Sequence, residues 1–521
     1  MPDFGLTFVS LTDAIAGHAR WSAAKTALVC GEQRLSWGEL NREINRVANG
    51  LLHAGLRKGD KVGVLMANGI PMIEVMLGVL KAGGVVVPLS PLITGTSLAL
   101  MLNDSNARFM FAESPFAAGV SAIRRELSQL DRNGFIVAGA SASGWRSLAL
   151  FKSGASDQEP SVRSALDDDF NIIYSSGTTG TPKGIVHTHY ARMQFCHTLG
   201  IEMRFDASAI AILTTPLYAN GTWMMLLPTL AVGGTVIVMP QFDPATFLRL
   251  VARERGTHSF MVPPQFAAIL ACPELAQTDT DSLRVLVSAG APLTRALKQQ
   301  LLARFGGTLM ELYGLTEGVG TTLKAERVAA KLASVGTPVF GADIRILDDA
   351  GKQVNHGEPG EIVGYSSALM SGYHGQPDKT AEAMWRDEAG RLYLKTGDIG
   401  RLDEDGFLYI LDRKKDMIIS GGVNVFPSDI EEVLRGHPDV KDVTVIGIPD
   451  DKWGETPLAL VVRQEGAAPP EDALKDWANE RLAKHQRVSA VEFRDTIPRV
   501  PPLGKVPKKD LRAPYWQRAK Q

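Results

Sequence analysis

Apolar residues recur at helical spacing over residues 37–54, where Leu40, Ile44, Val47, Leu51 and Leu52 mark one face and Ser36 can cap the first turn. Short unbroken apolar runs at 62–66 and 85–89 read as strands buried on both faces, with a helix at 74–81 between them that stops at Gly83-Gly84. Similar runs follow at 172–174, 235–238, 259–262 and 285–288. Such alternation predicts an α/β fold in which βα units build parallel sheets covered by helices.

Residues 207–242 carry no charged side chain, a length that invites a membrane span. Pro216, Asn220, Gly221, Pro228 and Gly233-Gly234 interrupt them too often for an apolar helix of about 20 residues. The segment reads instead as a strand at 210–214, a turn, a buried helix at 223–231 and a strand at 235–238, with no integral membrane segment. Beyond residue 412 the pattern changes to a helix at 427–434 opened by Pro427, strands at 440–448 and 458–464, a loop at 463–471 and an amphipathic helix at 472–482. Two domains are expected: 1–412, large and made of several βα-layered subdomains, and 413–521, small and α+β.

The length of 521 residues is itself more than one core usually serves. A formal charge of −2 leaves no basic footprint for nucleic acid, so anionic ligands must be held by local groups. Cys30, Cys196 and Cys272 lie far apart without metal-ligand spacing, and the first residues lack the basic start and apolar stretch of a signal peptide. Both features predict a cytoplasmic protein with reduced thiols. A homodimer is left open.

The most informative run is Tyr174-Ser175-Ser176-Gly177-Thr178-Thr179-Gly180-Thr181-Pro182-Lys183-Gly184. Its glycines allow close backbone approach, its hydroxyl and amide groups offer donors, and Lys183 adds a cation, which together make a phosphate cradle. The glycine spacing is not that of a P-loop kinase or ATPase. Tyr313-Gly314-Leu315-Thr316-Glu317, Lys395-Thr396-Gly397-Asp398, Asp412-Arg413-Lys414-Lys415-Asp416, Ser420-Gly421-Gly422 and Gly504-Lys505 follow in that order. This series resembles the adenylate-forming superfamily of acyl-CoA synthetases, peptide-synthetase adenylation domains and beetle luciferases, over nearly the whole chain.

The resemblance implies an ATP-dependent acid:CoA ligase that makes an acyl-adenylate and pyrophosphate, then the thioester and AMP. It implies ATP, Mg²⁺ and coenzyme A as cofactor and co-substrates. Lys505 would be the catalytic lysine, supplying charge where carboxylate and α-phosphate meet. Glu317 would be the metal ligand, with Thr178 as a hydroxyl partner. Ser175, Ser176, Gly177, Thr178, Thr179, Gly180 and Lys183 would hold phosphates. Tyr313 and Gly314 with Gly290, Ala291 and Pro292 would flank the adenine, Thr316 would offer its hydroxyl to the ion or the phosphates, and Asp398 with Arg413 would reach the ribose. Lys415 matches the hinge about which the small domain turns. Gly421 and Gly422 fit the pantetheine tunnel, with Trp453 and Arg487 as CoA contacts; Gln486 departs from the lysine common beside Arg487.

The acyl pocket is expected at Tyr218, Ala219, Asn220 and Trp223, facing Val262 and Ala289. Ala219 replaces a histidine or large aromatic of many relatives, and no arginine stands near to hold a second carboxylate. An apolar monocarboxylic acid, medium-chain or aromatic, is the expected substrate. Transfer to a carrier-protein pantetheine and a non-catalytic nucleotide-binding role remain as alternatives. Against the latter, Lys505, Glu317 and Asp398 are all present.

Overall fold

The computed structural model describes residues 8–175, 183–499 and 506–518. The chain forms two compact units, one of Met1–Leu332, Pro338–Asp343 and Tyr365–Leu394, the other of Ala333–Thr337, Ile344–Gly364 and Lys395–Gln521. No described helix is long and apolar enough to cross a membrane.

Two large sheets organise the first unit. In one, Leu309–Gly314, Val285–Ser288, His258–Met261, Ile210–Leu213, Thr235–Val238 and Thr26–Cys30 are successive parallel neighbours. In the other, Asp169–Ser175, Val85–Pro88, Lys61–Leu65, Ala107–Glu113 and Phe135–Ala138 pair in parallel. Every residue of Val85–Pro88 and Val285–Ser288 is buried, as parallel strands covered on both faces require. One βα expectation fails: after Asp169–Ser175 the chain returns as the antiparallel strand Lys183–Thr188, where Ile185 and Val186 are buried. The strands on either side are thus antiparallel partners, and residues 176–182 lie outside the described residues.

The helix Trp37–His53 opens with the expected cap, the Ser36 hydroxyl accepting from the Glu39 amide while Glu39 returns a bond to the Ser36 amide. The helix Ile70–Lys81 begins four residues earlier than the spacing predicted, because Pro71 opens it and almost every later side chain is buried, so no polar face marks its first turn. The helix Asn220–Ala231 likewise starts three residues early and runs through Pro228. Near its end the Thr229 hydroxyl donates to the Met225 carbonyl at 2.6 Å.

In the second unit Gly454–Arg463 pairs with Val440–Asp450, Ile418–Ser420 and Ala490–Phe493. Helices Pro427–Arg435 and Glu471–Asn479 bury Ile430, Leu434, Leu474 and Ala478 in its core. A last helix, Lys508–Arg518, packs Leu511 and Tyr515 against Ile446, Leu458 and Leu460. Arg499 pairs with Asp442 at 2.6 Å, and the partly buried Lys508 pairs with Glu431 at 2.8 Å, so the chain is fastened before and after residues 500–505.

In the first unit Lys298, on the helix Arg295–Phe305, forms a buried ion pair with Glu311 on the strand Leu309–Gly314 and also donates to the Leu332 carbonyl. Stranding one member of such a pair costs about 3–5 kcal/mol, the loss expected for Lys298→Met at neutral pH. Burial already raises the Glu311 carboxyl, against the opposing pull of Lys298. Without the lysine it rises further, so the folded state binds a proton that the unfolded state releases, and stability falls as pH rises through that window. Denaturant unfolding at about pH 5 and about pH 8 should show the smaller loss at the lower pH; a loss independent of pH would assign the defect to packing.

Candidate active site

Loops leaving the carboxyl ends of parallel strands form the natural ligand crevice of an open α/β sheet. Here four neighbouring strands present them side by side. Leu309–Gly314 ends in Tyr313 and Gly314 and leads to Thr316 and Glu317; Val285–Ser288 leads to Ala289, Gly290, Ala291 and Pro292. His258–Met261 leads to Val262, and Ile210–Leu213 to Tyr218, Ala219 and Asn220. The expected adenine and acyl residues thus line one end of one sheet, the nucleotide motif at one side and the acyl segment at the other.

The turn after Gly314 is tightly stitched. Gly318 takes φ of 106°, and a Cβ there would lie 2.2 Å from the Ala368 carbonyl oxygen, so only glycine fits. The Ser366 hydroxyl donates to the Gly318 carbonyl at 2.6 Å, and the Met370 amide to the Glu317 carbonyl at 2.8 Å. The Tyr373 hydroxyl donates to Glu317 Oε1 at 3.1 Å, and the Lys183 ammonium stands 4.7 Å from the centre of the Tyr373 ring. Burial first, then the Glu317 charge, pushes the Tyr373 phenol above its usual range, so it remains a donor. Tyr373 was missed in sequence because it belongs to none of the motifs. Ser175 ends its strand; Ser176, Gly177, Thr178, Thr179, Gly180 and Lys505 lie outside the described residues.

At the acyl segment Ala219 precedes the helix Asn220–Ala231, and the buried Asn220 Oδ1 has no partner among the described residues. Trp223 is wholly buried; its indole N–H donates to the Leu217 carbonyl at 2.7 Å. Sequence placed no arginine here, yet the Arg192 guanidinium sits 4.9 Å from the Trp223 ring centre. Two of its N–H groups face Asn171 and His187.

The remaining expected residues fall in the second unit. Asp398 and Arg413 are register partners across the strands Leu392–Leu402 and Leu408–Arg413, and Arg413 Nε reaches Asp398 Oδ1 at 2.7 Å. The Thr396 hydroxyl receives the Asp398 amide at 3.1 Å. Asp398 is 4% exposed, a carboxylate held ready by a cation. Lys415 lies exposed just after this hairpin. Gly421 has φ of 59°, its amide donates to the Trp453 carbonyl at 2.8 Å, and a Cβ there would meet the Trp453 ring at 2.7 Å. Gly422 adjoins it at φ of 80°, and the turn Lys484–Gln486, which leads to the exposed Arg487, packs against the strand Val423–Val425. The departing residue Gln486 donates its amide to Asp429 at 2.9 Å.

Residues 16–374 match the family model of the AMP-binding enzyme, and residues 429–502 that of the AMP-binding enzyme C-terminal domain. A feruloyl-CoA synthase of Amycolatopsis is 37% identical over 95% of this chain and 97% of its own length. A long-chain-fatty-acid–CoA ligase of Mycobacterium tuberculosis is 35% identical over 92% and 93%. The crystal structure of ATP-bound MatB from Rhodopseudomonas palustris, 30% identical, superposes with a TM-score of 0.87, covering 98% of this chain and 99% of that one. With two successive family models filled and each group of motif residues gathered within its own unit, the chain belongs to the AMP-binding enzymes, as a carboxylic acid–CoA ligase that uses ATP.

Proposed function

We propose that this ligase activates an apolar monocarboxylic acid, aromatic or medium-chain aliphatic, and passes it to coenzyme A. The observation that carries the reading is the row of loops at one sheet end, where the nucleotide turn and a largely apolar segment lie on neighbouring strands. Arg192, the arginine beside Trp223, is already engaged by Asn171 and His187, which argues against a second carboxylate there. Relatives named for feruloyl and long-chain fatty acyl groups support the same class.

In the first half-reaction a carboxylate oxygen attacks the α-phosphorus of ATP and the bond to pyrophosphate breaks; in the second, the CoA thiol attacks the acyl carbon, AMP leaves, and the thiol proton is released. Lys183 and Lys505 offer positive charge to the meeting anions, Tyr313 and the segment Gly290-Ala291-Pro292 enclose the base, and Asp398 with Arg413 orients the ribose. Glu317 suits a Mg²⁺ ion: it is a half-buried hard oxygen donor, oriented by Tyr373, and Thr178 would share the ion or the phosphates. When bound, that ion would neutralise phosphate charge. The 1–412 and 413–521 division, with Lys415 as hinge, belongs to this reading. So does a thiol route past Gly421, Gly422, Trp453 and Arg487.

Two outcomes test it. If Lys505 acts only while two anions join, Lys505→Ala should slow acid-dependent pyrophosphate release by about 10²–10³-fold yet still convert supplied acyl-AMP and CoA to thioester; comparable loss in both half-reactions sinks the assignment. Ala219→Phe should add volume at the carbonyl entrance and cost bulky or aromatic acids about 1–3 kcal/mol in kcat/KM relative to short aliphatic ones. A size-graded acid series, with the KM for ATP alongside, checks this, and an unchanged ranking in a folded variant removes Ala219 from the pocket.

A further inference from the structure

Tyr373 is buried, and its side chain touches two residues of opposite charge. The hydroxyl donates to Glu317 Oε1 at 3.1 Å, and the Lys183 ammonium lies 4.7 Å from the ring centre, within the range of a cation–π contact. A phenylalanine would fill the same volume with no polar atom to satisfy, so the phenol needs a reason. Among the described residues neither Lys183 nor Glu317 has an ion-pair partner, although both contact this one ring.

Backbone bonds hold the ring in place. The strand Gly372–Tyr373 pairs antiparallel with Lys183–Thr188, and Tyr373 stands opposite Ile185. Side chains two residues apart on a strand share a face, which makes Lys183 the diagonal neighbour of Tyr373 on that face. The Ser371 amide donates to the Val186 carbonyl at 2.9 Å, and the His374 amide to the Gly184 carbonyl at 2.7 Å. Tyr373 donates its own amide to the Thr380 hydroxyl at 2.9 Å. Because the Met370 amide holds the Glu317 carbonyl, residues 370–374 join the turn that carries Glu317 to the strand that begins with Lys183.

A side chain so placed has two separable effects. Its O–H fixes one carboxylate oxygen, and its ring holds the ammonium without a counter-ion. Were the ring absent, the two charges could close on each other, and their ion pair would neutralise both before a phosphate or a cation met either. We propose that Tyr373 is a positioning residue for adenylation: it keeps the Lys183 and Glu317 charges available to the nucleotide phosphates and their cation rather than to each other. This rests on the reading of Glu317 as the metal ligand and Lys183 as a phosphate ligand.

The test measures ATP binding to the full-length enzyme by equilibrium dialysis, with Mg²⁺ and with EDTA, alongside thioester formation from supplied acyl-AMP. Tyr373→Phe keeps the ring and removes only the bond to Glu317. It should weaken binding about 10-fold with Mg²⁺, as loss of a partner to a metal ligand does, and leave binding in EDTA within about 2-fold of wild type. Tyr373→Leu also frees Lys183 to meet Glu317, so it should weaken binding in EDTA as well. In the Glu317→Gln background, where no carboxylate remains to capture the lysine, that second loss should vanish. The thioester step should stay within about 2-fold of wild type in both Tyr373 variants. Wild-type MgATP binding in Tyr373→Phe, equal losses with Mg²⁺ and EDTA in that variant, or a Tyr373→Leu loss that persists beside Glu317→Gln would each overturn the proposal. Should Tyr373→Leu not fold, Tyr373→Phe decides alone, since it preserves the ring's volume. Unchanged MgATP binding in Glu317→Gln, or unchanged binding in EDTA in Lys183→Ala, would instead remove the reading of those residues, and the proposal with it.

Discussion

Parallel pairing of Leu309–Gly314, Val285–Ser288, His258–Met261 and Ile210–Leu213 is the constraint from which the first unit's chemistry follows. Parallel strands must all end on one side, and each must hand its chain to a crossover there. Residues distant in sequence, from Tyr218 to Glu317, are thereby delivered to one line at or just beyond the strand ends. The strands are buried along most of their length, and the expected adenine and acyl residues cluster at or beyond their ends.

Beneath that line, the polar groups that are buried serve to fix geometry. Lys298 and Glu311 tie a covering helix to the strand that carries Tyr313. The Tyr373 phenol fixes one oxygen of Glu317 and leaves the other oxygen uncommitted by that bond. In the second unit strand register sets Asp398 opposite Arg413, and the two form an ion pair at 2.7 Å. Such preorganisation costs desolvation in the folded state and spares reorganisation during the reaction.

Much of this was legible in sequence, for identifiable reasons. Val85–Pro88 is apolar throughout and Val285–Ser288 up to its last residue, as a doubly covered strand requires. The capping box at Ser36 announced a helix start correctly. Ile70–Lys81 hid its first turn because burial on every side erases periodicity. The strand Lys183–Thr188 hid behind the glycine-rich run, whose chemistry drew the eye from the alternation that follows. Arg192 was invisible as a buried residue, although the apolar Phe195 and Cys196 one helical turn from it and Leu199 two turns away were a usable sign that its face is covered. Tyr373 had no such sign, since its partner Glu317 is 56 residues away.

Gly318 bears on how such a protein can diversify. A backbone packed against the Ala368 carbonyl leaves no room for drift at that position, whereas Ala219 and Val262 lie beyond the ends of other strands. A randomised library of this scaffold therefore gains most by sparing residue 318, where any side chain collides with a neighbouring backbone.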